Sequence, residues 1–343
     1  MQLKQNLRRV VKSVTTSLAV LMIAGAARGN VVIATVPVGN IGNPAVVTNY
    51  GTFGSVNYAY SIGKYDVTAS QYAAFLNAVA ATDTYGCYDP FMAAGSQGNV
   101  TCDISQSGSN GSYTYATTGN PNLPVNYVTF WDACRFANWL ENGQPTGPEG
   151  SGTTETGTYT LTPAAMAADT VVRNPNSVWA VSSQNEWVKA AYYNASTQTY
   201  YDYATRSNNT PSNTLSATGT NNANLYGTNA PGELTPVGTF AASVGPYGTF
   251  DQNGDVFQWV DTTLPGGYIV RGGSFTSEAN NDCQPEDYFG QDPTQPSADL
   301  GFRISEVPEP TCVGLMAVIS IQTLARRRKV TFGRAHAESA TRS

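Results

Sequence analysis

The chain has 343 residues, of which 12% are charged, with 33 glycines, 19 prolines and 20 tyrosines. This composition excludes a coiled coil or a disordered chain and favours a loop-rich globular protein. Between residues 29 and 325, 7 Lys and Arg stand against 23 Asp and Glu, and this net charge of about −16 repels nucleic acid and anionic lipid headgroups while attracting cations.

The first 29 residues have the pattern of an export signal. Four basic residues precede an apolar stretch at 13–24, and small residues at 24–26 suit cleavage. The apolar stretch is short for a membrane span. We therefore expect an exported protein that resides in the cell envelope, at the cell surface or outside the cell.

Three amphipathic helices are predicted, each behind an N-cap pattern in which a hydroxyl is followed three residues later by a side-chain acceptor. The cap pairs are Thr68 and Gln71, Thr129 and Asp132, and Ser183 and Glu186. Apolar residues then recur with helical spacing. They are Tyr72, Phe75, Leu76 and Val79 in the first helix, and Phe130, Ala133, Ala137 and Leu140 in the second.

The rest of the sequence predicts short strands and long polar loops. Residues 30–62 have the pattern of strands and turns, residues 82–124 that of a long loop, and residues 194–235 lack hydrophobic periodicity. No repeat and no second core are evident. Residues 30–305 are therefore interpreted as one irregular α+β domain.

The C-terminal segment, residues 306–329, combines Pro-Glu-Pro at 308–310, an apolar run at 312–324 and a basic cluster at 326–329. This pattern resembles a PEP-CTERM sorting signal, which a membrane-embedded exosortase recognises. A simple C-terminal membrane anchor would have a similar pattern, with the basic cluster on the cytoplasmic side. Residues 330–343 form a short tail.

Histidine and cysteine counts exclude several kinds of active site. The only histidine, His336, lies beyond the basic cluster, so the body lacks Ser-His-Asp catalysis and His-ligated zinc or iron. Cys87 and Cys102 bracket a polar loop and could form a disulfide in an oxidising compartment. Cys134, on a predicted helix, is expected to be a small buried residue. Cys283 has no evident partner.

Seven segments occur in the order seen in the formylglycine-generating enzyme (sulfatase-modifying factor) family. They are YSIGKYDVTASQYAAFLN, PVNYVTFWDACRFANWL, WAVSSQNEWVKAA, TPVGTF, GDVFQWV, VRGGSF and DLGFRI. From about Ser61 to Ile304 the chain resembles this family, which implies a fold related to C-type lectins, with short helices around twisted, mostly antiparallel sheets. Structural roles are expected for the signature residues Trp131, Glu186, Trp187, Trp259, Arg271, Gly272, Gly273, Ser274, Gly301, Phe302 and Arg303; for Arg271 and Arg303 we expect buried pairing with carboxylates.

The resemblance also defines a catalytic test. Copper-dependent oxidases of the family, which convert a sulfatase cysteine to formylglycine, hold copper with two cysteines shortly after the Gly-Gly-Ser-aromatic segment. Here the first position falls at Ser277 and the second at Asp282, next to Cys283. A serine hydroxyl is a poor copper(I) ligand, and iron-dependent relatives need histidine. Copper and iron are therefore disfavoured as cofactors, and Ser277 and Cys283 are the candidate catalytic residues of a degenerate site.

Cys283 has two interpretations. It is either a lone nucleophile or redox centre, or an unreactive thiol or disulfide partner. Four neighbouring carboxylates would raise the pKa of its thiol and suppress the thiolate, which favours the second interpretation. They are Glu278, Asp282, Glu286 and Asp287.

Two calcium positions are implied by the resemblance. The first comprises the Asn224 side chain and the Leu225 carbonyl, and the second comprises Asp255, Val256 and Gln258. All supply the oxygen ligands that calcium takes, so calcium is a candidate cofactor. The alternative is that these turns are held by their own hydrogen bonds.

Two functions remain. The first is an exported surface or envelope module without copper-dependent activity, which binds a protein or carbohydrate ligand. The second is an oxidoreductase of altered mechanism that uses Cys283. The missing first cysteine and the absence of histidine from the body favour the binding module.

Overall fold

The structure is a computed structural model that describes residues 30–96, 100–227 and 233–307. The described residues from Val31 onward belong to one compact unit. The predicted export signal, the Pro-Glu-Pro motif with the apolar run and basic cluster after it, and the C-terminal tail all lie outside the described residues. Within the described ranges, no helix is long and apolar enough to cross a membrane.

The described residues form an α+β fold of short elements, as the sequence predicts. Five α-helices, α1 to α5, span Ala69–Val79, Phe130–Glu141, Pro163–Ala167, Gln184–Tyr192 and Ala279–Asp282, and one 3-10 helix spans Pro90–Met92. The fourteen strands, β1 to β14, are Thr35–Val38, Val46–Thr48, Gly51–Phe53, Tyr60–Gly63, Ile104–Ser107, Thr114–Thr117, Trp179–Val181, Tyr193–Asn194, Thr199–Tyr200, Phe257–Leu264, Gly267–Arg271, Phe289–Gln291, Leu300–Phe302 and Ile304–Glu306.

The three predicted helices are confirmed as α1, α2 and α4, and each begins with the reciprocal hydrogen bonds of a capping box. All eight apolar residues predicted for α1 and α2 are buried. The short helices α3 and α5 were not predicted. Neither is long enough to show an apolar repeat, and α3 buries none of its residues.

Two four-stranded sheets carry the fold. The first has the order β1-β4-β14-β7, and the second has the order β12-β11-β10-β13. All pairs are antiparallel except β10 and β13, which confirms the mostly antiparallel prediction. The hairpin of β5 and β6 lies inside residues 82–124, where the sequence predicted only a loop. That prediction was wrong because the two strands are largely polar and do not show the alternation of apolar residues that identifies a strand in the sequence. Their buried residues are Ile104 and Tyr115.

An aromatic core joins α1 and α2 to β13. Tyr72 and Phe75 of α1, Phe136 of α2 and Phe302 of β13 are fully buried. Their rings meet in stacked, tilted and edge-to-face pairs with centroids 5.3–6.3 Å apart. Such pairs add to the free energy gained from burial alone. This core fixes the position of β13, which forms one edge of the second sheet.

Arg303 lies where the chain passes from the second sheet to the first, between β13 and β14. Its guanidinium is fully buried and donates to the carbonyls of Gly63 and Phe250, each at 2.7 Å. It also lies 3.3 Å from the Asp66 carboxylate. The predicted buried ion pair is confirmed for this arginine.

For Arg271, the predicted ion pair with a carboxylate is wrong among the described residues. Its guanidinium lies over the rings of Phe53 and Tyr288, at 4.9 and 5.2 Å from their centroids. It donates to the backbone carbonyls of Pro285 and Asp287 at 2.9 and 3.0 Å. The loop at residues 285–287 therefore offers Arg271 backbone carbonyl oxygens and no carboxylate. Burial lowers the pKa of the Arg271 guanidinium to about 10.

Candidate functional site

The candidate site begins at the Gly-Gly turn that follows β11. Gly272 and Gly273 have φ of +100° and +71°, a region that favours glycine. A Cβ on Gly272 would lie 2.6 Å from the Gln252 carbonyl oxygen, and one on Gly273 would lie 2.7 Å from Cys283 Sγ. The two glycines thus allow the turn to pack directly against the loop that carries the candidate residues.

Ser277 and Asp282, the two positions that the resemblance assigns to copper cysteines, lie together. Their Cβ atoms are 3.2 and 3.4 Å from the point that a Cβ on Gly273 would occupy. Both residues line a cleft of about 450 Å³, called here the Ser277 cleft. The structure therefore brings a serine and an aspartate to one cavity; the Ser277 side chain is buried, and its hydroxyl accepts a hydrogen bond from the Ser274 N–H at 3.1 Å.

Cys283 is not among the residues that line this cleft, although its Sγ lies close to the same point beside Gly273 that Ser277 and Asp282 approach. Its side chain is fully buried and packs in a cluster with Tyr203, Leu225 and other apolar residues. Its thiol lies 3.3 Å from the Gly272 carbonyl oxygen. Burial, and then the charges of Asp282 and Asp287, raise the pKa of the thiol well above its usual value. These contacts favour an unreactive thiol, because the thiolate is the reactive form.

Aromatic and hydroxyl groups form much of the remaining wall of the Ser277 cleft. Phe257 and Phe289 meet edge to face with centroids 5.7 Å apart, and Phe289 is 43% exposed. Thr276 donates at 3.2 Å to the Asp299 carboxylate, which also accepts a hydrogen bond from Ser297. All five of these residues line the cleft, which therefore combines an exposed ring with fixed hydrogen-bonding groups.

The second calcium position does not fit an ion without rearrangement. The Gln258 side-chain oxygen accepts from Trp187 Nε1 at 2.7 Å and from Arg303 Nε at 3.1 Å. The Asp255 carboxylate accepts from the Thr235 N–H and hydroxyl at 3.0 and 2.9 Å. Burial, and then the charge of Asp251, raise the Asp255 pKa to about 7. Val256 is fully buried.

The first calcium position offers a single unpartnered side-chain oxygen. Asn224 donates at 3.0 Å to the Asp255 carboxylate, and its own buried Oδ1 has no hydrogen-bond partner among the described residues. The other predicted ligand here is the carbonyl of Leu225, whose side chain packs beside Cys283. Calcium takes about six to eight oxygen ligands, more than the side chains of these two positions offer without rearrangement. Calcium therefore stays a prediction at both positions.

The other signature residues have structural contacts. Trp259 donates to the Val128 carbonyl at 3.0 Å, and Glu186 pairs with Arg173 at 3.0 Å. A Cβ on Gly301 would lie 2.5 Å from the Val125 carbonyl oxygen, so β13 approaches its neighbour closely. Ser274, which follows the Gly-Gly turn, is fully buried and lies 3.3 Å from the Asp299 carboxylate.

A second cleft, of about 600 Å³, was not predicted as a unit. It is called here the Trp131 cleft, and its polar wall includes Asp132 and Arg135 of α2. Arg135 pairs with Glu155 at 2.8 Å and lies 4.7 Å from the ring centroid of Tyr85, another wall residue. The sequence signal was the pair Asp132 and Arg135, of which Asp132 was interpreted only as a cap residue and Arg135 was given no role.

The cysteines of the described residues are all free and buried. The disulfide that the sequence left open between Cys87 and Cys102 is therefore not formed in this structure. Cys102 Sγ is directed to the Met92 carbonyl oxygen at 4.0 Å, whereas Cys87 lies beside the Asp83 and Glu149 carboxyl groups. Cys134 is buried on α2, as predicted.

Comparison with solved structures supports the same fold. The crystal structure of CarF is similar with a TM-score of 0.52 and 20% identity, over 80% of this chain and 98% of that one. Variable protein 1 of Treponema denticola is similar with a TM-score of 0.50 and 18% identity, over 80% of this chain and 95% of that one.

A third solved structure, PvdO from Pseudomonas aeruginosa, has a TM-score of 0.42 and 15% identity, over 80% of this chain and 91% of that one. No curated protein matches the chain significantly. The model of the sulfatase-modifying factor enzyme 1-like domain matches residues 52–306. The chain therefore belongs to the formylglycine-generating enzyme (sulfatase-modifying factor) family.

Proposed function

We propose that this protein is an exported binding module that uses the family fold without copper-dependent cysteine oxidation. The observation that carries the proposal is the pair of residues at the Ser277 cleft. Where the resemblance implies two thiolates, the cleft is lined by Ser277 with a hydroxyl and by Asp282 with a carboxyl group. Copper(I) prefers soft sulfur ligands, and neither group is one.

The surroundings of Cys283 support this proposal. Its side chain is fully buried and does not line the Ser277 cleft, and its backbone carbonyl accepts hydrogen bonds from Tyr192 and Asn253 at 2.9 and 3.0 Å. Burial, and then the charges of Asp282 and Asp287, raise the pKa of its thiol. The alternative, an oxidoreductase that uses Cys283, requires this buried thiol to become accessible and to ionise.

A carbohydrate is the ligand class that best suits the Ser277 cleft. Sugar rings offer apolar faces for an exposed aromatic ring such as Phe289, and their hydroxyls can donate to a carboxylate such as Asp282. Pockets of this kind gain orientation and specificity from a few fixed polar groups on a largely apolar wall. A protein loop is the other ligand class, and a binding screen distinguishes the two.

Export and attachment to the cell surface complete the proposal, and they rest on the sequence alone. The support is the basic-apolar pattern of residues 1–29 and the three-part pattern of residues 306–329. An exosortase would be the processing partner, or the segment would act as a simple anchor. Fractionation of cells that express the chain with and without residues 306–343 would test attachment, which predicts release of the shorter chain into the medium.

Copper(I) titration tests the missing activity directly. The reduced protein, held without oxygen and competed against a chelator of known affinity, should take up no stoichiometric copper(I). The matched positive control is the double variant Ser277→Cys, Asp282→Cys, which places two thiols at the same cleft and should gain copper(I) affinity. Tight stoichiometric binding by the parent, lost in Cys283→Ser, would instead establish the oxidoreductase alternative.

Ligand binding is tested separately with a carbohydrate array and purified glycans. Binding should weaken in Phe289→Ala and Asp282→Asn and stay unchanged in Val47→Ala, a control whose side chain is exposed on β2 and does not line the cleft. Equal binding by all three variants would contradict the assignment of the cleft. Binding only to protein baits, weakened by the same cleft variants, would replace the carbohydrate with a protein loop.

A further inference from the structure

A second group of metal-ligating side chains lies outside the Ser277 cleft. Asp83 and Cys87, in the loop after α1, and Glu149, in the loop after α2, each offer one ligand atom, and these atoms lie within 4.8 Å of one another. The three residues are called here the Cys87 cluster. Cys87 is fully buried, Glu149 is 9% exposed and Asp83 is half-buried.

Glu149 is positioned in this cluster with one oxygen left over. Its Oε2 accepts hydrogen bonds from the backbone N–H groups of Thr84 and Tyr85, so the carboxyl group is fixed against the loop that carries Cys87. Its Oε1 is buried and has no nitrogen or oxygen donor among the described residues, and the Cys87 thiol is the hydrogen-bonding group beside this carboxyl. A buried carboxylate oxygen that lacks such a donor is costly, and a bound ion is one explanation for its persistence.

The charges around the cluster favour a cation. The charge of Arg135 acts on Cys87, but this guanidinium is already paired with Glu155 at 2.8 Å and with Asp132 at 3.4 Å. Asp83 and Glu149 form no ion pair among the described residues, so the cluster carries negative charge that no side chain neutralises. This excess of negative charge is buried or half-buried, where solvent screens it weakly.

We propose that Asp83, Cys87 and Glu149 bind one divalent cation of the zinc class in the reduced protein. One thiolate and two carboxylates are a donor set that zinc accepts, with solvent in the fourth position. Calcium and magnesium prefer oxygen ligands only, so the thiolate selects against them. Tyr85 and Gly86, which lie between the two loop ligands, line the Trp131 cleft, and solvent reaches the loop there.

The proposed ion would also connect two parts of the chain. Asp83 and Cys87 follow α1, whereas Glu149 follows α2, so one ion would fix both loops beside the Trp131 cleft. This site is independent of the Ser277 cleft and of any carbohydrate bound there. The presence or absence of a metal ion in the Cys87 cluster therefore does not affect the proposed binding function. The metal site and the binding function can be refuted separately.

The test uses the reduced, metal-free full chain and Zn²⁺ alone. Calorimetric titration should show one equivalent bound, and Co²⁺ should give an absorption band from thiolate-to-cobalt charge transfer. Cys87→Ser should abolish that band, and both Cys87→Ser and Glu149→Gln should weaken Zn²⁺ binding at least about ten-fold. Cys102→Ser is the matched control, because it removes a buried cysteine outside the cluster and should change neither result.

Circular dichroism and thermal melting of each metal-free variant show whether it is folded. If Cys87→Ser does not fold, Asp83→Asn and Glu149→Gln still test the carboxylate ligands. The absence of saturable Zn²⁺ binding by the folded parent would overturn the proposal. A cobalt–thiolate band that persists in Cys87→Ser, or that disappears in Cys102→Ser, would overturn it as well, since the thiolate would then come from another cysteine.

Discussion

Replacing Arg303 with methionine tests what holds the two sheets together. The guanidinium is fully buried, donates to the Gly63 and Phe250 carbonyls at 2.7 Å and lies 3.3 Å from Asp66. Methionine fills much of the same space but removes every donor, so a buried carboxylate loses its partner. Breaking a buried ion pair from one side costs about 3–5 kcal/mol. We expect Arg303→Met to lower the free energy of unfolding by about that amount.

Arg271→Met is the matched control for this experiment. Arg271 is equally buried, but its guanidinium meets two backbone carbonyls and two aromatic rings, and its Nε and Nη2 already lack partners. Its removal leaves no carboxylate unpaired, so we expect a smaller loss of about 1–3 kcal/mol. Urea unfolding of the reduced protein, followed by tryptophan fluorescence and circular dichroism, measures both values.

The pH dependence of Arg303→Met gives a second readout. Burial raises the pKa of Asp66 well above its usual value, and the charge of Arg303 opposes that rise. Without Arg303 the pKa rises further, so the fold favours the protonated carboxyl group. The free energy of unfolding of the variant should therefore be closest to that of the parent in acid. The difference between the two should grow as the pH rises through the folded pKa of Asp66.

Adding Asp66→Asn to Arg303→Met removes the ionisable group and should recover part of the stability at neutral pH. The reasoning is refuted if Arg303→Met loses no more stability than Arg271→Met and Asp66→Asn recovers none of it. In that case the sheets would be held by apolar packing around β13 and β14, and the ion pair would be incidental.

Three further predictions concern the turn and the calcium positions. Gly273→Ala should lower the free energy of unfolding in urea by about 1–3 kcal/mol more than Gly266→Ala does. The reason is that a Cβ on Gly273 would lie 2.7 Å from Cys283 Sγ, whereas a Cβ on Gly266 meets no atom within 4 Å. Equal losses of unfolding free energy in the two variants would contradict the clash. Burial raises the folded pKa of Asp255 to about 7, so the fold favours the protonated carboxyl group and the Tm of the parent declines as the pH rises toward 7. Asp255→Asn removes the ionisable group and should make this decline of Tm with pH less steep. An unchanged slope of Tm against pH would refute the role of Asp255. Excess calcium should give the same Tm as a chelator, and a calcium-dependent rise would show that the oxygens at these positions are free after all.

Local signals in the sequence predicted the helices well. Thr68, Thr129 and Ser183 each act within four residues of chain, so the capping boxes depend on little beyond their own segment. The apolar repeats of α1 and α2 were equally reliable because both helices pack into the same core, α1 with one face and α2 with nearly its whole surface. By contrast, α5 has four residues, and no periodicity can be seen over so short a span.

The candidate site could be assigned by position, but the exposure of its residues could not be predicted. The spacing from the Gly-Gly turn assigned Ser277 and Asp282 to the two family positions, and both line one cavity. Whether the Cys283 thiol is exposed there depends on the buried cluster that it forms with Tyr203 and Leu225. Tertiary contacts of this kind have no signature in the local sequence.

The same limit applies to Cys87 and to Arg271. Cys87 and Cys102 bracket a polar loop, which left a disulfide between them open, but Cys102 Sγ is directed to the Met92 carbonyl oxygen and Cys87 lies beside the Asp83 and Glu149 carboxyl groups. Arg271 was expected to pair with a carboxylate, yet it donates to the Asp287 backbone carbonyl. Residue type alone does not determine which atom of a neighbour a buried side chain contacts.

The distribution of unpartnered oxygen atoms separates two ideas about metals in this protein. At the second family calcium position, Gln258 and Asp255 already accept hydrogen bonds from several donors, and at the first only Asn224 Oδ1 has none. In the Cys87 cluster, Glu149 Oε1 has no nitrogen or oxygen donor, and it lies in a group that includes a thiol and a second carboxyl. If the stability of the protein depends on a metal, the structure therefore favours a zinc-class ion at Glu149 over calcium. This preference for zinc would be established by a rise in Tm with Zn²⁺ that is lost in Glu149→Gln, together with an unchanged Tm in calcium. A rise in Tm with calcium and none with Zn²⁺ would overturn it.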